Sequence, residues 1–151
     1  MHISDAGLSL IRTFEGLSTK AYKCPAGVWT IGYGHTGDVE PGDVVTEKQA
    51  TDILNCDLLK YEKAVSERTY KCKITQSQFD ALVCFCFNVG ISAFSRSMLL
   101  SKFRVGDIKG TADEFLKWNK ATSPETGAKI ELKGLTLRRQ AAHKVLHFTD
   151  L

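Results

Sequence analysis

No stretch of this chain is long and apolar enough to span a membrane, which takes roughly 20 such residues. The first twenty residues carry Asp5, Arg12, Glu15 and Lys20, so neither a signal peptide nor a signal anchor is expected in them. Synthesis and folding in the cytoplasm are therefore expected. Charge of one sign is also scarce. With 20 Lys and Arg against 17 Asp and Glu, the net charge is +3, too small to argue for a nucleic-acid partner. The five cysteines (Cys24, Cys56, Cys72, Cys84 and Cys86) include no CxxC pair and no paired histidine ligands, so no metal pattern is present. Their odd number fits a reducing compartment better than a disulfide framework. All except Cys24 are expected to be buried, inert thiols. What is present is ordinary for a globular protein: 151 residues, 43% hydrophobic and 25% charged, enough for one domain with a real core.

Reactive side chains concentrate in residues 15–35. Residues 4–14 read as a helix, with Ser4 or Asp5 as N-cap and Leu8, Ile11 and Phe14 on one face. Gly16 ends it, which leaves Glu15 in the last turn, at the negative end of the helix dipole. There, and beside Phe14 and Trp29, a carboxyl is expected to hold its proton and to serve as a general acid. An exposed glutamate is the plain alternative for such a residue taken alone. Residues 29–35 alternate like a strand, with Trp29, Ile31 and Tyr33 on one face and Thr30, Gly32 and Gly34 on the other. The two glycines leave bare backbone for a flat ligand, and Thr30 on that face can hold a water or a sugar hydroxyl. A bulge or tight hairpin explains the glycines equally well. Cys24 precedes Pro25, which restricts it to extended backbone. It is either an inert thiol or one activated by Lys20 and Lys23.

The spacing Glu, eight residues, Asp or Cys, five residues, Thr is met by Glu15, Cys24 and Thr30. Together with the run Thr30-Ile31-Gly32-Tyr33-Gly34-His35 it resembles the phage-type lysozymes, the endolysins that cut peptidoglycan for host lysis. Further blocks, Gln78-Phe79-Asp80-Ala81-Leu82 through Phe87-Asn88-Val89-Gly90, and Gly134-Leu135 with Arg138-Arg139, extend the resemblance over nearly the whole chain. It implies a muramidase that hydrolyses the β-1,4 bond between N-acetylmuramic acid and N-acetylglucosamine. Glu15 is then the general acid, Cys24 holds the second catalytic place, and Thr30 helps position the attacking water. Members more often have Asp at the place of Cys24, so a water-activating thiolate, a stabiliser of the oxocarbenium ion and a nucleophile all stay open. The substrate-binding residues implied are Gly32, Gly34, His35, Phe87, Asn88 and Ser97, with no metal and no cofactor. His35 also reads as a structural imidazole bonded to a carboxylate or carbonyl. A monomer is expected, with peptidoglycan as its substrate, a holin for release to the wall and no membrane insertion. The small positive charge favours adsorption to an anionic wall.

The expected fold is α+β and mainly helical, a single lysozyme-like domain. It comprises a small turn-rich β-lobe over about 16–46, a connecting helix over about 47–67 and a helical lobe over 68–151. The connecting helix opens at the capping box Thr46-Glu47-Lys48-Gln49, and the next at Thr75-Gln76-Ser77-Gln78 with Phe79, Leu82, Val83 and Cys86 inward. One helix is expected over 92–104, with Phe94, Met98, Leu99 and Phe103 inward. Another opens at a third box, Thr111-Ala112-Asp113-Glu114. A polar loop over 122–133 and a last helix over 135–148 complete the chain. A solvated basic face is the plain account of Arg138 and Arg139, and Ala142 stands where the family often has an acidic residue. The rival functions are a lytic transglycosylase on the same fold, a cysteine peptidase or amidase using Cys24 and His35, and a wall-binding module without catalysis.

Overall fold

The computed structural model describes residues 1–122, 129–131 and 138–141. The chain begins as helix α1 (Asp5–Glu15), whose N-cap Ser4 accepts from Gly7 N. Leu8 and Ile11 are buried at helical spacing, and Gly16 closes the helix at φ +71° with its N–H donating to Arg12 O. The start of α1 is tied to the rest of the protein by two buried carboxylates. Asp80 accepts from Ser4 N at 2.9 Å, from the Ser4 hydroxyl and from Gln76 Nε2 at 2.9 Å. Glu62 accepts from Ile3 N at 2.8 Å. A buried carboxylate with several donors keeps its charge without a large desolvation cost. Gly7 makes this approach possible, because a Cβ there would stand 2.8 Å from Asp80 Cγ. One end of α1 is therefore fixed, and Glu15 is carried at the other.

Strands β1 (Ser18–Lys23) and β2 (Trp29–Gly32) pair antiparallel with Tyr22 opposite Thr30 and Lys23 opposite Trp29, and a bulge follows Ser18. Their connection is a three-residue hairpin loop: Gly27 N donates to Cys24 O, Cys24 N donates to Val28 O, and Gly27 takes φ +81°. The strand expected to reach residue 35 stops at Gly32. Gly32 (φ +65°) and Gly34 (φ +83°) fold the chain back, so that Ile31 and His35 bridge each other. Both glycines thus make a tight hairpin, and Gly34 in addition presents its backbone toward Glu15.

Helix α2 (Glu47–Arg68) opens at the expected capping box on Thr46 and runs 22 residues, about 33 Å. It packs on β2 near its start and on helix α3 (Gln76–Val89) along its length. α3 opens at the second expected box, on Thr75, and is apolar on nearly all sides. Phe79, Ala81, Leu82, Val83, Phe85 and Cys86 are all buried, which makes it the centre of the core. The Phe85 ring meets Phe94, Phe115 and Trp118 edge to face.

Three expectations give way beyond α3. The helix over 92–104 is two helices, α4 (Ile91–Ser95) and α5 (Met98–Arg104), broken where the Ser97 side chain accepts from Leu100 N. Phe94, Leu99 and Phe103 do point inward, but Met98 is 61% exposed. Helix α6 (Ile108–Phe115) starts a turn before the third box, because Asp107 caps it and Thr111 donates its hydroxyl to Asp107 O. In the region read as a polar loop, β3 (Lys120–Thr122) pairs antiparallel with β4 (Lys129–Glu131). Residues 138–141 are helical, while Gly134, Leu135, Ala142 and the rest of the expected last helix lie outside the described residues. Cys84 and Cys86 are buried as expected, Cys72 is half-buried, and Cys56 on α2 is exposed. Among the described residues no helix is long and apolar enough to cross a membrane.

Candidate active site

Glu15 ends α1 with its carboxyl half-buried against a cation from far along the chain. Arg138 Nη2 donates to Glu15 Oε1 at 2.5 Å, and the same guanidinium lies 5.6 Å from the centre of the Phe14 ring. Neighbouring residues at the end of α1 thus hold one arginine by charge and by ring face. Gly34 borders the acid from the hairpin side. A Cβ there would stand 3.3 Å from Glu15 Oε2, and φ +83° already disfavours any other residue.

This carboxyl opens into a cavity of about 420 Å³ whose walls come from the chain after β2, from α2 and from α3. Gly34 and His35 line one side, Asp57 and Tyr61 a second, Phe87 and Asn88 a third. His35 is fixed at both nitrogens: Nε2 donates to Gly37 O at 2.8 Å, and Nδ1 lies 2.8 Å from Asp57 Oδ2. Both structural partners expected of this imidazole, a carboxylate and a carbonyl, are present. The pair also pins the glycine-rich loop to α2. Phe87 packs edge to face on Tyr61 with ring centres 5.2 Å apart. Asn88 Oδ1 accepts from Arg139 Nη2, which leaves the amide N–H₂ as the group a ligand would meet.

Arg138 and Arg139 are not a solvated basic face. Arg139 is 2% exposed, donates from Nε to Trp118 O at 3.0 Å and lies 5.1 Å over the Phe85 ring. Burial first, and then the charge of Arg138, push it down to about 10, so it remains protonated at neutral pH.

Four of the expected site residues do not line this cavity. Gly32 is buried with its Cα facing Ala50 of α2, where a Cβ would meet Ala50 Cβ at 3.3 Å. Ser97 is buried as the cap of α5, its hydroxyl donating to Phe94 O at 2.7 Å. Thr30 is 3% exposed and donates to Val28 O at 3.0 Å, so it offers no open face for water. Cys24, half-exposed, sits at the corner of the β1–β2 hairpin. Its thiol is pulled below the ordinary value chiefly by the N–H of Val28, against some desolvation. The N–H groups of Ala26 and Gly27 and the Thr30 hydroxyl add to the effect. The activation expected from Lys20 and Lys23 comes from the turn's backbone instead. Cys24 and Thr30 therefore form a unit of their own, since Thr30 has one hydroxyl proton to turn toward either Val28 O or a thiolate.

Asp57, Tyr61 and Arg138 were not recognised as site residues from the sequence. For the first two a signal exists: Asp57, Lys60 and Tyr61 stand at i, i+3 and i+4 on α2 and so share a face. Arg138 lies 123 residues from Glu15 and carries no local signal.

Residues 12–142 match the protein family described as phage lysozyme. The chain is 47% identical over 141 residues to the endolysin of Acyrthosiphon pisum secondary endosymbiont phage 1, covering 93% of this chain and 94% of that one. It is 46% identical over 143 residues to the endolysin of Bacillus phage B103, covering 93% of this chain and 52% of the other, so it spans about half the length of that relative. Among solved structures, the muramidase domain of SpmX from Asticaccaulis excentricus superposes with a TM-score of 0.92 at 39% identity, over 97% of each chain.

Proposed function

The chain belongs to the phage lysozyme family, and from that premise we propose that it is an endolysin that cleaves peptidoglycan as a muramidase. The bond cut is the β-1,4 link between N-acetylmuramic acid and N-acetylglucosamine. Glu15 donates a proton to the bridging oxygen while the sugar on the other side of the break takes up oxocarbenium character. A water then adds to that carbon and gives up a proton, for which Cys24, at the corner of the β1–β2 hairpin rather than on the cavity wall, is the assigned base through its lowered thiol. The aromatic corner of Tyr61 and Phe87 faces a sugar ring, and the Asn88 N–H₂ meets an acetamido carbonyl.

One observation carries this reading: a carboxyl at a helix end, bordered by bare glycine backbone, opening into a sugar-sized cavity with an aromatic and an amide wall. The residues after α1 and those beyond α2 are read as two lobes, about 16–46 and 68–151, with α2 between them. The protein is read as a monomer that reaches the wall through a holin. Product analysis tests the chemistry. Digested sacculi should yield glycan fragments with ordinary reducing ends by mass spectrometry. Fragments lighter by one water would make the enzyme a transglycosylase, and new amines without new reducing ends would make it a peptidase or amidase.

A further inference from the structure

Lys60 stands at the wall of the Glu15 cavity, with Nζ 5.1 Å from the centre of the Tyr61 ring. The other charges there are committed. Glu15 is paired with Arg138 and Asp57 with His35. Among the described residues Lys60 has no carboxylate within ion-pair distance, although it lines a cavity that holds two. Its neighbour Tyr61 packs on Phe87, so the ammonium lies over one ring of an aromatic corner. Asp57, Lys60 and Tyr61 share one face of α2 by their spacing, and that face looks into the cavity. A cation above a ring, beside a surface suited to a sugar, is built to receive a sugar that bears an anion.

Of the two sugars in peptidoglycan, N-acetylglucosamine is neutral and only the muramyl unit carries carboxylates, on its lactyl group or its peptide stem. We propose that Lys60 binds a carboxylate borne by the muramyl residue, with Tyr61 and Phe87 against the sugar, and so fixes which sugar lies along α2 and in which direction the glycan strand runs. This inference rests on the muramidase reading and names the group that sets its substrate preference. Lys60 is a binding residue here and takes no part in bond cleavage.

The test uses Lys60→Ala, Lys60→Glu and Lys60→Arg on three substrates: intact sacculi, amidase-stripped glycan with free lactyl carboxylates, and stripped glycan whose carboxyls are capped with methylamine. Lys60→Ala should raise KM on intact sacculi about two- to fivefold, the range set by one partly solvated charge pair, with a smaller effect on kcat. Lys60→Glu should raise it further and Lys60→Arg should restore it. On the capped substrate the wild type should rise to the level of Lys60→Ala. The stem is amide-linked through the lactyl carboxyl, so a Lys60→Ala penalty on intact sacculi is owed to a stem carboxylate, and one that persists on stripped glycan shows that the lactyl carboxylate freed there takes its place. Unchanged KM for Lys60→Glu on intact sacculi, or an equal Lys60→Ala penalty on the capped substrate, would overturn the proposal. A wild type that releases no reducing ends would instead overturn the muramidase reading beneath it.

Discussion

The same functional group occurs in the β1–β2 hairpin and in the middle of α3, with opposite outcomes. At Cys24 a three-residue turn aims backbone N–H groups at the sulfur and its thiol falls below the ordinary range. Cys84 and Cys86 sit in the second half of a 14-residue helix buried on nearly all sides. Burial pushes both up to about 12, with the nearby Asp80 charge adding to the effect at Cys84. A helix interior spends its N–H groups on its own carbonyls, so nothing remains to stabilise a thiolate. The turn spends fewer of them in this way and leaves others facing the thiol, that of Val28 first. The carboxylates repeat the contrast. Asp80 is saturated by donors and serves to fix α1, whereas Glu15 at the other end of that helix opens into a cavity. The residues proposed to carry chemistry stand where the backbone turns or a helix ends, and the buried core stands along helix interiors.

Substitutions that fall on one side of this contrast should leave the other nearly unmoved. The largest effect is expected in α3. Phe85→Ala removes a buried ring that contacts Phe94, Phe115 and Trp118 and should lower stability by about 3–5 kcal/mol, read by urea unfolding. A smaller loss would mean that this region is not the core. Cys24→Ala should reduce turnover about 100-fold, the lower end of what a positioned acid or base contributes, with the unfolding midpoint held. Cys24→Asp should keep activity. In the wild type, activity should rise with pH as the thiol ionises, at a value below the ordinary thiol range, and in Cys24→Asp that rise should move down toward the carboxylate range. A full-rate Ala variant would make Cys24 a packing residue and erase the contrast.

The smallest effect concerns Glu114, whose carboxyl accepts from Lys102 and Lys117 at 2.8 Å each. Those two donors hold it below the usual carboxylate value, Lys102 first. Because the folded-state value is the lower one, its stabilising contribution is complete above the unfolded value and is lost as pH falls through the folded value. Glu114→Gln should therefore cost about 1 kcal/mol at neutral pH and progressively less in acid, measured as unfolding free energy against pH. A cost that is flat with pH would assign the loss to packing.

Where a structural signal is complete within four residues, the sequence reveals it. Thr46 and Thr75 each have a glutamine three places on, and both boxes form with both bonds. The box read at Thr111 fails because Asp107 already caps the helix, accepting from Gly110 N at 2.8 Å, while Glu114 turns to its lysines. The helix read over 92–104 breaks because the Ser97 side chain caps a new start. Within the proposed site, Glu15, Gly34, His35, Phe87 and Asn88 lie around one cavity. The alternation that put Thr30 and Gly32 on an open face was misleading, because the chain reverses at Gly32 and α2 covers that face through Ala50. The spacing of Asp57, Lys60 and Tyr61 shows that they share a face of α2 but not what that face meets, and Arg138 reaches Glu15 only through tertiary packing.

The central claim is that Glu15 supplies the proton that breaks the glycan strand. It is tested most directly by measuring reducing-end release from purified sacculi by wild type and Glu15→Gln at equal concentration, with unfolding midpoints recorded alongside. A loss of at least about 100-fold with a near-unchanged midpoint is the predicted result. Cleavage at the wild-type rate by the amide variant would contradict it.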